Sequence, residues 1–195
     1  MAGETIMALI RLNNQSLTNI TTSGFPSGSS LQTVSSTMTY VSGYTGAQNT
    51  AYTVQSASGT DWATSITINQ GNKILVQLNL NVAKDGSDAN VYYDLLYDVD
   101  GSNSYTNVAV GDSSGSRSRH TGNVRSYADQ YNIEESTCCF LFTPTISGST
   151  GVVRFKVNIT QRAGSNRAFA VNRTNANNSE GGTVASSLTA IEIAA

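Results

Sequence analysis

The sequence predicts an all-β protein: a jelly-roll β-sandwich of about 8–10 antiparallel strands behind an extended N-terminal arm. Three observations carry that reading. In Lys73 to Ala83, Ile74, Val76, Leu78, Leu80 and Val82 fall on every second residue, with Gln77, Asn79 and Asn81 in the opposite phase. Side chains alternate faces along a strand, so this run has one apolar and one mainly polar face, whereas a helix would scatter the apolar residues around its circumference. Charged residues make up 12% of the chain, about half the usual ~25%, and Ser, Thr, Asn and Gly supply the polarity, a mix that favours strands and turns. Finally, strand-like runs recur along the chain between turn signals, with no internal repeat of the kind that builds propellers or solenoids.

The division expected is an arm over 1–30 and a sandwich over 31–195. In the arm Ile10, Leu12, Leu17 and Ile20 keep neither a two-residue nor a helical period. Spaced anchors of this kind suit a segment lying on another surface, and they also fit an ordinary first strand and loop. Gly24, Pro26 and Gly28 then break the chain. Leu31–Tyr40 reads as a strand, 41–49 as a loop and Tyr52–Val54 as a brief pairing segment. Trp62–Asn69 is a strand that turns through Gln70-Gly71-Asn72 into the central run.

After a turn-rich loop at 84–90, Val91, Tyr93, Leu95, Tyr97 and Val99 alternate, and Tyr105–Val110 is expected to return alongside. The polar stretch 111–129 reads as one long loop, a length that in compact domains is usually functional or mobile. Cys138–Thr143 is apolar in both phases, as for a strand buried on two sides. In the run after Gly151, Val153, Phe155, Val157 and Ile159 alternate with Arg154, Lys156 and Asn158. Phe169–Asn172 is short, 173–183 is a loop, and SSLTAIEIAA closes the sequence. A length of 195 residues favours a jelly roll over an immunoglobulin-like sandwich of about 100 residues.

Several function classes are disfavoured. A net charge of −2 provides no global field for nucleic acid or an acidic membrane. No apolar run approaches the ~20 residues of a membrane helix. The start, MAGETIMALIRL, lacks the features of a signal peptide, so use without export is expected, with Met7 an alternative initiator to Met1. The Asn-x-Thr triplets at 19, 158 and 172 therefore carry no weight as glycosylation sites. Cys138 and Cys139 are adjacent and read as reduced and buried.

His120 lies among Arg117, Arg119 and Arg125, without a local nucleophile or orienting acid. That loop reads either as a basic contact for a carboxylate, phosphate or glycan, or as a solvated flexible loop, and its Gly and Ser favour the second. Asp98, Asp100 and Asn103 around Gly101 echo the opening of a calcium loop, but position 12 is Ala109 rather than a bidentate Glu. Asp-Gly is also a favoured hairpin turn. Tyr40, Tyr44, Tyr52 and Trp62 could form a sugar-stacking platform, and more commonly such aromatics are core or interface. The expectation is a protein that is not an enzyme, with no cofactor and no metal.

The last run is apolar on both faces, Leu188 and Ala190 in one phase and Ile191 and Ile193 in the other, with Glu192 interrupting the first. Such a strand should be covered on both sides. The domain core covers one, and a neighbouring copy is the economical cover for the other. Glu192 would then need a basic partner, with Arg173 and Arg154 as candidates. A lightly charged surface fits this, because every charge near a symmetry axis meets copies of itself.

Two segments, IRLNNQSLTNIT at 10–21 and SSLTAIEIAA at 186–195, resemble the opening and the ending of many small virion proteins of tailed phages, and NKILVQLNLNVA at 72–83 fits the strand those proteins carry mid-chain. Such proteins are similar to head-decoration (cement) proteins and fibre-tip domains, often threefold jelly rolls of the tumour-necrosis-factor/C1q type with the last strand near the axis. The resemblance implies a homotrimer that binds the major capsid protein and reinforces the assembled head. Ile10, Arg11, Leu12, Leu17 and Ile20 would form the docking arm, and Leu188, Ile191, Glu192 and Ile193 the trimer contact. It implies a virion location after assembly in the host cytoplasm, with a host surface glycan as a possible further partner. The alternative is a tail-fibre or tail-tip protein that recognises the host surface.

Overall fold

The structure, a computed structural model, is described over residues 24–84, 90–124, 131–162, 166–176, 179 and 181–195. The described residues form fourteen strands: β1 Ser30–Met38, β2 Ser42–Gly46, β3 Ala51–Thr53, β4 Gln55–Ala57, β5 Thr60–Asp61, β6 Ala63–Asn69, β7 Lys73–Lys84, β8 Val91–Val99, β9 Thr106–Asn107, β10 Gly122–Val124, β11 Glu134–Phe142, β12 Thr150–Gln161, β13 Arg167–Val171 and β14 Ser186–Ile193. Paired strands run antiparallel throughout the described residues.

Eight strands build the frame. One sheet runs β1-β14-β7-β11 and the other β6-β12-β8-β10. Among these eight in chain order, the first pairs the last (β1–β14), the second the seventh (β6–β12), the third the sixth (β7–β11) and the fourth the fifth (β8–β10). That nested pairing is a long hairpin folded over itself, which is the winding of a jelly roll. The remaining strands extend the sheets: β13 and then β2 continue the first beyond the Val82 end of β7, β3 and β9 add to β12 and β8, and β4 and β5 form a small ribbon.

The alternation read from the sequence sets which side chains meet between the sheets. Ile74, Val76, Leu78 and Leu80 of β7 share one core with Phe155, Val157 and Ile159 of β12 and with Leu188, Ala190, Leu95 and Trp62, all essentially without solvent contact. Burial of such side chains contributes roughly 1.5–3 kcal/mol each relative to exposure. Trp62 satisfies its indole N–H on Ser36 Oγ at 2.9 Å, so its ring belongs to the core and not to a sugar platform. Tyr44 and Tyr52 likewise pack on buried Phe169, with ring centroids 5.0 and 5.9 Å away, and Tyr40 packs against the same core.

Local expectations fail where pairing overrides composition. The stretch 41–49 contains β2, because Ser42–Gly46 finds an edge on β13. The long loop 111–129 is interrupted by β10, which pairs Val91–Tyr93. Tyr105–Val110 returns along β8 over two residues only. β11 is not buried on both sides: it is the last of the described strands of its sheet, Cys139 is exposed and Leu141 is 55% exposed, while Cys138 is half-buried. Both cysteines are free.

Candidate functional site

Two surfaces on opposite sides of the sandwich stand out, and strand register builds both. On the first sheet, pairing aligns three rows across four strands. These are Thr33–Ile191–Leu75–Leu141, Ser35–Thr189–Gln77–Cys139 and Thr37–Ser187–Asn79–Thr137. All twelve side chains lie in the outward phase and are half-buried or exposed. None is charged. Lys73 and Glu135 stand beyond the two ends of the grid, with Glu135 accepting a hydrogen bond from Asn79 Nδ2 at 2.7 Å.

The outward face of the second sheet differs in kind. It carries Arg154 and Lys156 of β12 beside Asp94 and Asp98 of β8. Lys156 lies 3.9 Å from Asp61 and 3.9 Å above the Tyr105 ring. The grid is therefore free of charge, while the outward face of β8 and β12 is not. Composition could not reveal that, since it depends on which strands are neighbours.

The trimer-contact residues expected from sequence divide between inside and outside. Ile191 and Ile193 are half-buried on the outer face, while Leu188 and Glu192 are enclosed within their own sandwich, at 0% and 2% exposure. Neither Arg173 nor Arg154 partners Glu192. Its Oε1 accepts from Asn69 N at 2.9 Å, Asn72 Nδ2 at 2.7 Å and Asn69 Nδ2 at 3.4 Å, and its Oε2 accepts from Gln32 Nε2 at 2.7 Å. Burial acts to raise the carboxyl pKa, but these amide donors more than offset it and hold it below the ordinary value. Sequence reasoning demanded a cation where the 69–72 turn supplies amides. Asn69 and Asn72 flanking Gln70-Gly71 were the available signal.

A second unforeseen network centres on Asn172, which has φ +60° and no exposure. Its Nδ2 donates to Met38 O at 2.8 Å and Tyr40 O at 3.2 Å, and Ser186 Oγ donates to its Oδ1 at 2.6 Å. The side chain thus ties the ends of β1, β13 and β14 together.

The acidic turn resolves as a hairpin turn. Asp100 and Gly101 have φ of 54° and 70°, and Ser102 N donates to Val99 O at 3.3 Å, the type I′ geometry favoured by Asp-Gly. Asp100 Oδ1 accepts from Val152 N at 2.8 Å. Asp98 is buried and accepts the Ser102 hydroxyl, which, against the opposing effect of burial, holds its carboxyl below the usual range. Asn103, with φ 56°, continues the turn. Asp98 is thus held by Ser102 of the turn and Asp100 by the start of β12, and among the described residues no group of three His, Cys, Asp or Glu is placed to hold a metal.

The structure does bring the basic loop residues together. Arg117, Arg119 and His120 line a basin of about 270 Å³ with Tyr92 and Asn123, and a neighbouring depression of about 450 Å³ shares Tyr92 and Arg117 and adds Arg162. His120 is set by the second sheet: its ring stacks on Tyr92 at 4.7 Å and 22°, and Nδ1 donates to Asp94 Oδ2 at 3.1 Å. Asp94 Oδ1 accepts from Thr121 N at 3.2 Å, which pins the end of the loop. Arg162, from the end of β12, was not anticipated, since only sheet pairing brings it beside the loop. The docking-arm residues Ile10, Arg11, Leu12, Leu17 and Ile20, and Arg125 of the basic loop, lie outside the described residues.

No family model and no curated protein matches the chain. Among solved structures it is similar to the "Structure of infectious bursal disease virus Gx strain", with a TM-score of 0.36 and 12% identity. The match covers 86% of this chain and 38% of that one, so the chain spans well under half the length of that relative.

Proposed function

We propose that this protein is a structural component of a tailed-phage particle, a head-decoration subunit that associates as a homotrimer and reinforces the assembled capsid. The observation that carries the reading is the uncharged grid on the sheet β1-β14-β7-β11. Around a threefold axis each charge faces its own copies, and like-charge juxtaposition costs several kcal/mol. A face of Thr, Ser, Asn and Gln with an aliphatic row of Ile191, Leu75 and Leu141 lets copies approach without that cost. From strand spacing and rise, the grid covers roughly 400 Å², about half of one partner's share of a standard interface. It is therefore the centre of a contact and not the whole of one.

Segment 7–22, with Ile10, Arg11, Leu12, Leu17 and Ile20, is assigned the contact with the major capsid protein, on the likeness of 10–21 to the openings of small phage virion proteins. Reinforcement follows from linkage, since a ligand that binds only the assembled shell stabilises it. The reading includes no chemical step and no cofactor. A tail-tip protein that recognises the host surface is the second reading, favoured by the basic basin on the opposite sheet.

Purified protein is added to undecorated heads, and its mass is measured by light scattering over micromolar concentrations. The expected result is a trimer bound at threefold-related positions on the head. A monomer's mass throughout that range removes the trimer, and binding confined to tails or host cells removes decoration in favour of the second reading.

A further inference from the structure

We infer that the basin between the 111–121 loop and the second sheet binds a carboxylate-bearing sugar of an acidic glycan. Three guanidinium groups, Arg117, Arg119 and Arg162, converge on two depressions that share Tyr92. Each guanidinium carries five N–H donors in a planar fork that matches a carboxylate. Arg119 uses its Nε on Gly111 O at 2.7 Å, and Arg117 uses Nη1 on Ser114 Oγ at 3.2 Å. These bonds to their own loop position the two side chains and occupy only part of their donor sets. Arg162 has no side-chain hydrogen bond or ion pair among the described residues.

The rest of the lining is suited to a sugar rather than to a bare anion. Tyr92 lines both depressions and gives them an aromatic wall for the apolar face of a pyranose, His120 stacks on that ring and holds it in place, and Asn123 offers both a donor and an acceptor to hydroxyls. His120 Nε2 is buried and has no hydrogen-bond partner among the described residues. Asp112 also lines the basin and opposes an anion close to it, so the carboxylate is placed on the side shared by Arg117 and Arg162. The opposing carboxylate Asp94 is already engaged by His120 and Thr121.

The site lies on the sheet opposite the uncharged grid. A copy seated on that grid would leave it open, so the proposal holds independently of whether the protein decorates heads.

Galacturonate, glucuronate and sialic-acid oligosaccharides, their carboxyl-reduced counterparts and inorganic phosphate are titrated into the full chain by calorimetry. The series is repeated with the double variant Arg117→Ala/Arg162→Ala and with Tyr92→Ala, each first matched to the parent by circular dichroism and unfolding midpoint. At least one acidic oligosaccharide is expected to bind. Reducing its carboxyl, or removing the two arginines, should weaken binding about tenfold or more, the effect of losing one charge-assisted contact. Tyr92→Ala should weaken the acidic and reduced sugars alike. Absence of binding by every acidic oligosaccharide overturns the proposal, as does equal binding of the reduced sugars or indifference to the double variant. Phosphate binding as tightly as the sugars would mark a simple anion site and overturn the sugar assignment.

Discussion

Replacing Glu192 by glutamine exchanges one carboxylate oxygen for an amino group in a place where every neighbour is a donor. Three donors converge on Oε1 and a fourth, Gln32 Nε2, on Oε2. The new amide keeps its carbonyl where Oε1 was and sets its NH₂ against Gln32. Gln32 cannot turn its own oxygen inward without releasing Thr67 O, to which its Nε2 also donates. One hydrogen bond is lost, and those that remain fall from charge-assisted to neutral. At about 1–3 kcal/mol for an unsatisfied buried group and roughly 1 kcal/mol for the weakening, the variant Glu192→Gln should lose about 3 kcal/mol. For a domain of this size that corresponds to a melting temperature lower by about 6–12 °C.

The pH dependence supplies an independent check. The Glu192 carboxyl is held below its ordinary value of 4.5. Its contribution is therefore fully present above the unfolded-state pKa and is lost as pH falls through the lower, folded-state pKa. The parent should forfeit that contribution on acidification and the variant has none to forfeit, so their stability gap should narrow below pH 4.5. Urea unfolding at neutral pH and through the acid range measures both quantities. A neutral-pH difference under about 0.5 kcal/mol, within the range of ordinary surface substitutions, would refute the amide-cage account. A gap that stays constant as pH falls would refute it too.

Other outcomes follow from the same contacts. Asn172→Ala leaves Met38 O and Tyr40 O without their donor and forces alanine into a positive φ, so a loss of about 3 kcal/mol is expected in chemical unfolding. Gly122→Ala would drive a Cβ into the Oη and ring of buried Tyr93 and should cost roughly 1–3 kcal/mol. Gly111→Ala, with nothing within 4 Å, should be close to neutral in the same assay. Thiol reagents should modify exposed Cys139 well before Cys138, whose thiol is pushed up by burial, and trimer formation should slow the Cys139 reaction. Ile191→Lys places a charge in the aliphatic row and should shift light scattering toward the monomer with circular dichroism unchanged. A trimer that survives this substitution intact counts against the grid as its contact.

What the sequence determined by itself was the alternation. The periods in β7, β8 and β12 were legible because each strand has the core on one side, and the two-residue period is a property of the isolated strand. The same logic placed Ile191 and Ile193 opposite Leu188 and Ala190. What only the tertiary structure decided was adjacency. β2 and β10 carry weak local signals and exist because β13 and β8 offer them edges. Asn69 and Asn72 reach Glu192 across more than a hundred residues, so sequence spacing could not name the partner of that carboxylate. The uncharged grid and the arginine basin arise in the same way, one from the register of four strands and the other from a loop folded back against a sheet. Whether polar residues scattered along a chain become a surface depends on long-range pairing, and local pattern carries no information about that.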